Sequence, residues 1–399
     1  MMEPVEADLV ELTVGDVAHG GHCVARVDGR VVFVRHALPG ERVVAEITEV
    51  HGSYLRADAI TVLSASPDRV APPCPYAGPG RCGGCDLQHV APPAQRDWKA
   101  AVVREQLLRL GGLSRGEVAA LAVRVAALPG SPDGLGWRSR VRYAVDAAGR
   151  AGLLKHRSHE VVPIDRCLIA HPAIQELPVL ASSWPSAEAV ETVASSAGDV
   201  VAVPLPAAPP PPRVREVAAG RTWTLPAHAF WQVHPAAPDT LVGAMLGLTV
   251  PAAGERAWDL YGGAGLFAAA LARRVGPAGR VTLVESSPVG LAAARDNLAD
   301  LPAVEVVAAR VDRALARRRV TGPVDVVVLD PPRTGAGAEV VRGVAAAGPR
   351  AVAYVACDPA AFARDVRTFG DLGWRLAALR GFDCFPMTRH MELVGLLVP

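Results

Sequence analysis

Residues 8 to 63 alternate short apolar runs with turn residues: Leu9-Val10-Glu11-Leu12, Val24-Ala25-Arg26-Val27, Val31-Val32-Phe33-Val34, Arg42-Val43-Val44-Ala45-Glu46-Ile47 and Leu55-Arg56-Ala57-Asp58-Ala59-Ile60. Asp28-Gly29 stands between two β-branched runs, the pattern of a two-residue hairpin. About five strands in this length predict a small Greek-key barrel of OB type, a fold that often carries RNA. A barrel that is only a spacer or a protein-binding module fits the same pattern.

Residues 67 to 92 are rich in Pro, Gly and Cys and need something other than a core to hold them. Between Gln95 and Leu110, Trp98, Val102, Leu107 and Leu110 fall at helical spacing, and Gly111-Gly112 supplies a stop. Residues 120 to 170 read as strands again. Residues 178 to 220 fade into Ala, Ser and Pro, and within them the run Pro209 to Pro212 reads as a stiff connector or surface loop. From about 254 onward the period changes. Candidate strands at 257–260, 281–284, 304–307, 324–329, 351–355, 375–379 and 393–398 alternate with helical stretches, which predicts a doubly wound α/β sheet covered on both faces.

The length of 399 residues suits two to three domains of about 150 residues each. Lys+Arg (41) balances Asp+Glu (40), which excludes both an acidic disordered chain and a polycation, so an anionic partner must meet local basic patches. One such stretch is Arg138, Arg140, Arg142, Arg150, Lys155, His156, Arg157 and Arg166. Residues 1 to 11 are acidic and no run approaches about 18 apolar residues, so a cytoplasmic protein with no membrane contact is expected. The cysteines number seven, three of them bunched at Cys74, Cys82 and Cys85. In a reducing compartment that bunching points to metal or cluster chemistry, with Cys167 the fourth candidate; spacing alone leaves a [4Fe–4S] cluster and a structural zinc both open.

Chemistry concentrates at the ends of the C-terminal strands. The first runs into Asp259-Leu260-Tyr261-Gly262-Gly263-Ala264-Gly265, a turn that brings backbone close to a ligand. The second ends at Glu285, 26 positions after Asp259, where a carboxylate can accept from ribose hydroxyls. The turn lacks the Gly-x-Gly-x-x-Gly order and no Gly-Lys-Ser/Thr occurs, which favours S-adenosylmethionine (SAM) over a dinucleotide or nucleoside triphosphate. Asp330-Pro331-Pro332-Arg333 must leave the sheet at its rim, because consecutive prolines cannot continue a ladder. Cys357 follows a buried strand and precedes a helix start, so backbone N–H groups are expected to lower its pKa. Glu392 ends the segment Asp383 to Glu392 that precedes the last strand, where it can act as a base.

Together, Phe230-Trp231-Gln232-Val233, Asp259-Leu260-Tyr261-Gly262, Asp330-Pro331-Pro332-Arg333, Cys357-Asp358-Pro359 and His390-Met391-Glu392 resemble the RNA uracil-5 methyltransferases, SAM-dependent enzymes that make 5-methyluridine. The N-terminal barrel resembles their TRAM domain, and Cys74 through His89 their iron–sulfur segment. The resemblance implies three domains: a TRAM barrel over 1–66, a small β-rich central domain over 67–225 carrying the cluster, and a class I, Rossmann-like methyltransferase domain over 226–399. Helix 94–111 is a candidate to pack on the last of these. It further implies that Gln232, Tyr261, Glu285 and Asp330 bind SAM, that Cys357 is the nucleophile and Glu392 the proton acceptor. Cys74, Cys82, Cys85 and Cys167 would hold a [4Fe–4S] cluster, leaving Cys23 and Cys384 as packed residues. The substrate would be a uridine in 23S ribosomal RNA or in transfer RNA, and the enzyme a monomer. His234 departs from the family, which often has Asn there. Methylation of another nucleobase atom and a non-catalytic iron–sulfur RNA-binding protein are the competing functions.

Overall fold

The structure, a computed structural model, describes residues 8–208 and 210–399. The N-terminal barrel consists of β1 (Leu9–Thr13), β2 (Val17–Ala18), β3 (His22–Val27), β4 (Arg30–Arg35), β5 (Arg42–Val50) and β6 (Tyr54–Ser64), ordered β1-β5-β6-β4-β3-β2. Strand alternation sets its inside: Val32 and Val34 of β4 are fully buried, whereas Val31 and Phe33 are half-buried. Asp28 (φ 47°) and Gly29 (φ 79°) both take the left-handed region that a tight β3–β4 hairpin needs. The barrel core is closed by residues from outside it, Leu87, Val90, Trp98 and Val102.

Trp98 and Val102 belong to α1 (Pro92–Arg109), which starts with a proline at its first turn. The opposite face of α1 enters a different core: Ala100, Val103 and Leu107 pack with the C-terminal sheet. Next come α2 (Arg115–Ala120), fixed by a Ser114–Glu117 capping box, and β7 (Val125–Ala127). An antiparallel sheet follows, built of β8 (Arg140–Val145), β9 (Ala151–Leu154), β10 (Val161–Pro163), β11 (Ala189–Ala194) and β12 (Val200–Leu205), with α3 (Pro172–Gln175) before β11. Its order is β10-β9-β8-β11-β12. A hairpin of β13 (Arg213–Ala218) and β14 (Arg221–Pro226) completes this half.

The C-terminal half runs α4 (Ala237–Thr249), β15 (Arg256–Leu260), α5 (Leu266–Val275), β16 (Arg280–Glu285), α6 (Pro288–Leu298), β17 (Val304–Ala308), α7 (Val311–Ala316), β18 (Val326–Leu329), α8 (Ala338–Ala347), β19 (Ala351–Ala356), α9 (Pro359–Asp371), β20 (Arg375–Asp383) and β21 (Glu392–Val398). Its eight-stranded sheet has the order β17-β16-β15-β18-β19-β21-β20-β7. The first five strands of that order are parallel, and β21 lies antiparallel between β19 and β20. All four residues of β18 are fully buried, the mark of a strand covered on both faces. Among the described residues no helix is long and apolar enough to cross a membrane.

Residues 178 to 220 hold β11, β12 and β13; β11 is buried along nearly its whole length with Ala, Val and Thr, so no polar alternation marked it. Within that span Pro209 lies outside the described residues. One expectation is corrected: the span 67–225 is not one unit, since β7 joins the C-terminal sheet parallel to β20 and Trp223 and Leu225 of β14 lie in one core with α5 and α6. α1 also packs on that sheet. Segments distant in sequence thus cover the faces and edge of the C-terminal sheet.

One buried ion pair fastens α1 to that sheet. Lys99 is fully buried, and its Nζ lies 2.5 Å from Oδ1 of buried Asp383 and donates to the Phe385 carbonyl at 3.1 Å. Lys99→Met strands the Asp383 carboxylate and should cost about 3–5 kcal/mol in urea unfolding, with much of the loss restored by adding Asp383→Leu. A single substitution that leaves the unfolding midpoint in place would show the pair to be dispensable.

Candidate functional site

The parallel strands reverse their order between β15 and β18, and β16, β15, β18 and β19 open at their carboxyl ends into one cleft of 1290 Å³. Gln232, Tyr261, Glu285, Asp330, Cys357 and Glu392 all line it. The cleft therefore gathers the six residues expected to bind cofactor or act on substrate, drawn from positions 160 residues apart in sequence.

The turn after β15 is shaped by contacts that only glycine permits. Tyr261 (φ 69°) and Gly262 both donate their N–H to the Val284 carbonyl, at 3.0 and 3.1 Å. A Cβ on Gly262 would fall 2.5 Å from Leu283 Cγ, and one on Gly265 (φ 96°) 2.5 Å from Leu298 Cδ1. Gly263 differs: no atom lies within 4 Å of where its Cβ would be, so the space over its backbone is open to a ligand. Asp259 anchors the turn from below, with Oδ2 accepting from Ala268 N at 2.8 Å and Oδ1 unpartnered. Burial pushes its carboxyl up to about 7, and the charges of Asp330 and Glu285 add to the shift.

Glu285 is held by three backbone donors: Gly263 N reaches Oε2 at 2.9 Å, and Ser286 N and Ser287 N reach Oε1 at 2.6 Å each. A carboxylate offers about four acceptor positions, so capacity remains toward the cleft. Gln232 sits on a segment pinned by the central sheet, where Ser139 N and Oγ donate to the Val233 carbonyl at 2.8 and 2.9 Å. Beside it Phe230 is 77% exposed on the cleft wall, an orientation unusual enough for a large apolar ring to mark a contact surface. His234 does what a short polar side chain would do, its Nδ1 accepting from Ala236 N at 3.2 Å, and burial lowers its pKa to about 4.

Cys357 and Glu392 meet across a ladder. The β19–β21 register pairs Ala356 with Leu393, so the next step puts Cys357 opposite Glu392 at the mouth of the cleft. Glu392 is buried; desolvation and then the Asp330 charge push its carboxyl well above the usual carboxylate range, against the pull of Arg333. Burial likewise pushes Asp330 up to about 7. For Cys357, desolvation and then the Glu392 charge raise the thiol to about 11. This corrects the expectation of a lowered thiol pKa. The N-terminus of α9 is already capped by Asp358, whose Oδ1 accepts from Ala361 N at 2.8 Å, so a neighbouring carboxylate, not the thiol, receives the helix donors.

The basic stretch beginning at Arg138 divides. Arg140 is nearly buried, paired with Glu216 at 2.8 Å and donating to the Ala227 and Ala229 carbonyls, so it supports the cleft wall instead of facing a phosphate. Lys155, His156 and Arg157 instead line a second cleft of 570 Å³ with Phe33, Arg56 and Arg81. Residues that sequence patterns did not mark knit the loop before Glu392. Gln95 accepts from Met387 N at 2.9 Å and donates to the Leu87 and Val90 carbonyls, and Leu87 N donates to the Met387 carbonyl at 2.9 Å. The one available signal was Lys99 itself, one of only two lysines and set among the apolar residues of α1.

Cys74, Cys82, Cys85 and Cys167 are all free thiols. Burial raises the pKa of Cys82, Cys85 and Cys167, and charge on neighbouring members of the same four raises each further. The four therefore lie within electrostatic reach of one another. Among the described residues, no group of three or more His, Cys, Asp or Glu side chains is arranged to hold a metal ion. Gly83 fits under the strand end at His156, whose Cα lies 2.6 Å from the position of a Cβ.

A thiol with a pKa of about 11 reacts through a small thiolate fraction at neutral pH. Alkylation of Cys357 in the free protein, followed by peptide mass spectrometry, should accelerate about tenfold per pH unit between pH 7 and 10. A rate that levels off below pH 8 would show that the thiolate is already stabilised.

Comparison with known proteins agrees with this geometry. Residues 8–60 match the TRAM domain and residues 229–398 match the tRNA (uracil-5-)-methyltransferase family. An RNA methyltransferase of Streptomyces avermitilis is 47% identical, with 98% of each chain covered. The 23S rRNA (uracil(1939)-C(5))-methyltransferase RlmD of Alkalilimnicola ehrlichii is 33% identical, covering 96% of this chain and 95% of that one. Among solved structures, the Pyrococcus abyssi tRNA (uracil-54, C5)-methyltransferase in complex with S-adenosyl-L-homocysteine shares the fold, with TM-score 0.70 and 22% identity over 97% of this chain and 99% of that one. With its N-terminal TRAM domain and its C-terminal catalytic sheet, the chain belongs to the tRNA (uracil-5-)-methyltransferase family of RNA methyltransferases.

Proposed function

We propose that this protein is a SAM-dependent enzyme that methylates C5 of a specific uridine in ribosomal or transfer RNA. The observation that carries the reading is the pairing of Cys357 with Glu392 at the mouth of a cleft whose opposite wall is the glycine turn and Glu285. The open space over Gly263 and the spare acceptor capacity of Glu285 fit an adenosine ligand with ribose hydroxyls, and Tyr261, Gln232 and Asp330 complete its surroundings. When bound, SAM supplies an electrophilic methyl group.

The chain's own residues do the rest. C5 of uracil is too weak a nucleophile unaided, so Cys357 Sγ adds to C6 and the ring becomes an enolate with electron density at C5. After methyl transfer, C5 carries both the methyl group and a proton. Glu392 takes that proton, and the electron pair left behind expels the thiolate of Cys357. Glu392 takes part in this step as its carboxylate, and burial, which raises its pKa, makes that carboxylate a stronger base than an exposed one. Amino-group methylation by an Asp-Pro-Pro site is the weaker reading: the aromatic residue usual after the prolines is replaced by Arg333, and the Cys357–Glu392 pair would have no task.

RNA is favoured as partner by the TRAM match and by the cleft containing Phe33, Arg56, Arg81 and Lys155, whose Arg and Lys side chains outnumber the Glu46, Glu49 and Asp58 that also line it. The target base must leave its stack to reach Cys357. The enzyme is read as a cytoplasmic monomer. With 5-fluorouridine RNA and labelled SAM, wild-type protein should form a covalent adduct stable on a denaturing gel. On ordinary RNA, Cys357→Ala should form none, whereas Glu392→Gln should transfer methyl once and stall as a protein–RNA species. An adduct with Cys357→Ala places the nucleophile elsewhere, and full turnover by Glu392→Gln removes Glu392 as base. Mapping the methylated nucleotide in total unmodified RNA identifies the RNA class.

Cys74, Cys82, Cys85 and Cys167 are read as holding a [4Fe–4S] cluster. Four free, soft donors suit a cationic centre, and it would relieve the burial and mutual charge that raise the pKa of Cys82, Cys85 and Cys167. A centre there would close a loop whose next residues, Asp86 and Leu87, bond to the loop before Glu392, so its contribution is structural support. Anaerobically purified protein should be brown and contain iron and sulfide, both lost in Cys85→Ser. One equivalent of zinc without iron would overturn the assignment.

A further inference from the structure

Cys357 also lines a second, smaller cavity of 130 Å³, shared with Arg333, Arg389 and the barrel turn His19-Gly20-Gly21. The two glycines explain how the barrel approaches so closely. Gly20 (φ 115°) and Gly21 (φ 80°) take backbone conformations that side chains rarely adopt, and a Cβ on Gly21 would lie 3.0 Å from Asp86 Cβ and 3.1 Å from Arg389 Cδ. The turn is thereby pressed onto the loop that precedes Glu392. The residue just before it, His19, reaches Asp358: His19 Nε2 lies 3.1 Å from Asp358 Oδ2. The other Asp358 oxygen caps α9. An aspartate adjacent in sequence to Cys357 is thus gripped from two sides, one of them the N-terminal barrel.

We propose that His19 is a positioning residue of the catalytic site, supplied by the barrel, which orients the Asp358 carboxylate and offsets its charge beside Cys357. The inference rests on the reading of Cys357 as the nucleophile. The surroundings show why this contact has an effect. Asp330, Asp358 and Glu392 each oppose ionisation of the thiol, while Arg333 favours it. His390 and His22, on either side, are held neutral because burial lowers their pKa to about 3, so neither supplies a countercharge near neutral pH. Lys99 is engaged by Asp383, and Arg389 lies near Asp86 at 3.9 Å. Burial alone would raise the Asp358 carboxyl, but the hydrogen bonds from His19 and Ala361 outweigh it and hold the group below the usual range. Asp358 is therefore an anion, and His19 is the side chain that bonds to it. Take His19 away and that charge faces Cys357 undiminished.

Alkylation of Cys357 in the full anaerobically purified chain, resolved by peptide mass spectrometry across pH, tests this without RNA or SAM. His19→Gln keeps a donor but loses the ionisable ring, and should slow alkylation about threefold or more near pH 7, moving the whole limb toward alkali by about half a unit. Asp358→Asn keeps the helix cap, since Asn caps as well as Asp, but removes the charge, and should move the limb the other way. In the double variant, position 19 should no longer have any effect. A purely structural role for His19 would survive in the Asp358→Asn background, and that result overturns the inference. His19→Gln should likewise lower the rate of adduct formation with 5-fluorouridine RNA while leaving the KM for RNA unchanged. If wild-type protein forms no such adduct, the methyltransferase reading of Cys357 falls; if it does and His19→Gln alkylates like wild type, only the role of His19 falls.

Discussion

An ammonium group without water is costly to bury, by several kcal/mol even after the protein relaxes, and a chain with only two lysines places one of them at complete burial. Lys99 is tolerable there because Asp383 and the Phe385 carbonyl receive it. The cost fixes geometry: α1 has one axial position at which its charge is answered, and that position sets where its two apolar faces lie. One face seals the barrel and the other seals the catalytic sheet. The loop from Asp383 to Met391, which delivers Glu392, inherits its path from the same helix through Gln95 and Lys99.

The cleft that results is ruled by carboxylates. Asp259, Asp330 and Glu392 are all driven toward their protonated forms by desolvation, and mutual repulsion strengthens the effect on Asp259 and Glu392. Burial thus opposes negative charge on these three groups, and a positively charged ligand would favour their ionised forms.

Much of this architecture was legible because the parallel strands are buried on both faces. Val326 to Leu329 and Ala351 to Val355 read as unbroken apolar runs, and the residues just beyond them mark the rim without knowledge of the fold. Cys357 and Glu392 could be placed at strand ends, yet their pairing depends on β21 entering between β19 and β20 in the opposite direction, which no local pattern announces. The strands of residues 189 to 218 were obscured for another reason: small residues such as Ala189, Ala194 and Ala202 pack closely in a sheet but carry weak strand preference. The reactivity of Cys357 was misread because the helix start it precedes had a better claimant one position later, and only the arrangement in space reveals that Asp358 takes the donors.

The three residues of β7 have a consequence for the order in which the molecule can be made. They pair with β20, whose partner residues Gly381 to Asp383 are synthesised more than 250 positions later, and Lys99 waits 284 residues for Asp383. A ribosome therefore extrudes the barrel, α1 and β7 long before anything exists to cover their exposed faces. Contacts of such long range are slow to form, and the exposed apolar face of α1 must avoid other chains in the meantime. The catalytic sheet closes only when β20 and β21 have arrived, so a nascent chain that is stopped before them cannot assemble the active cleft.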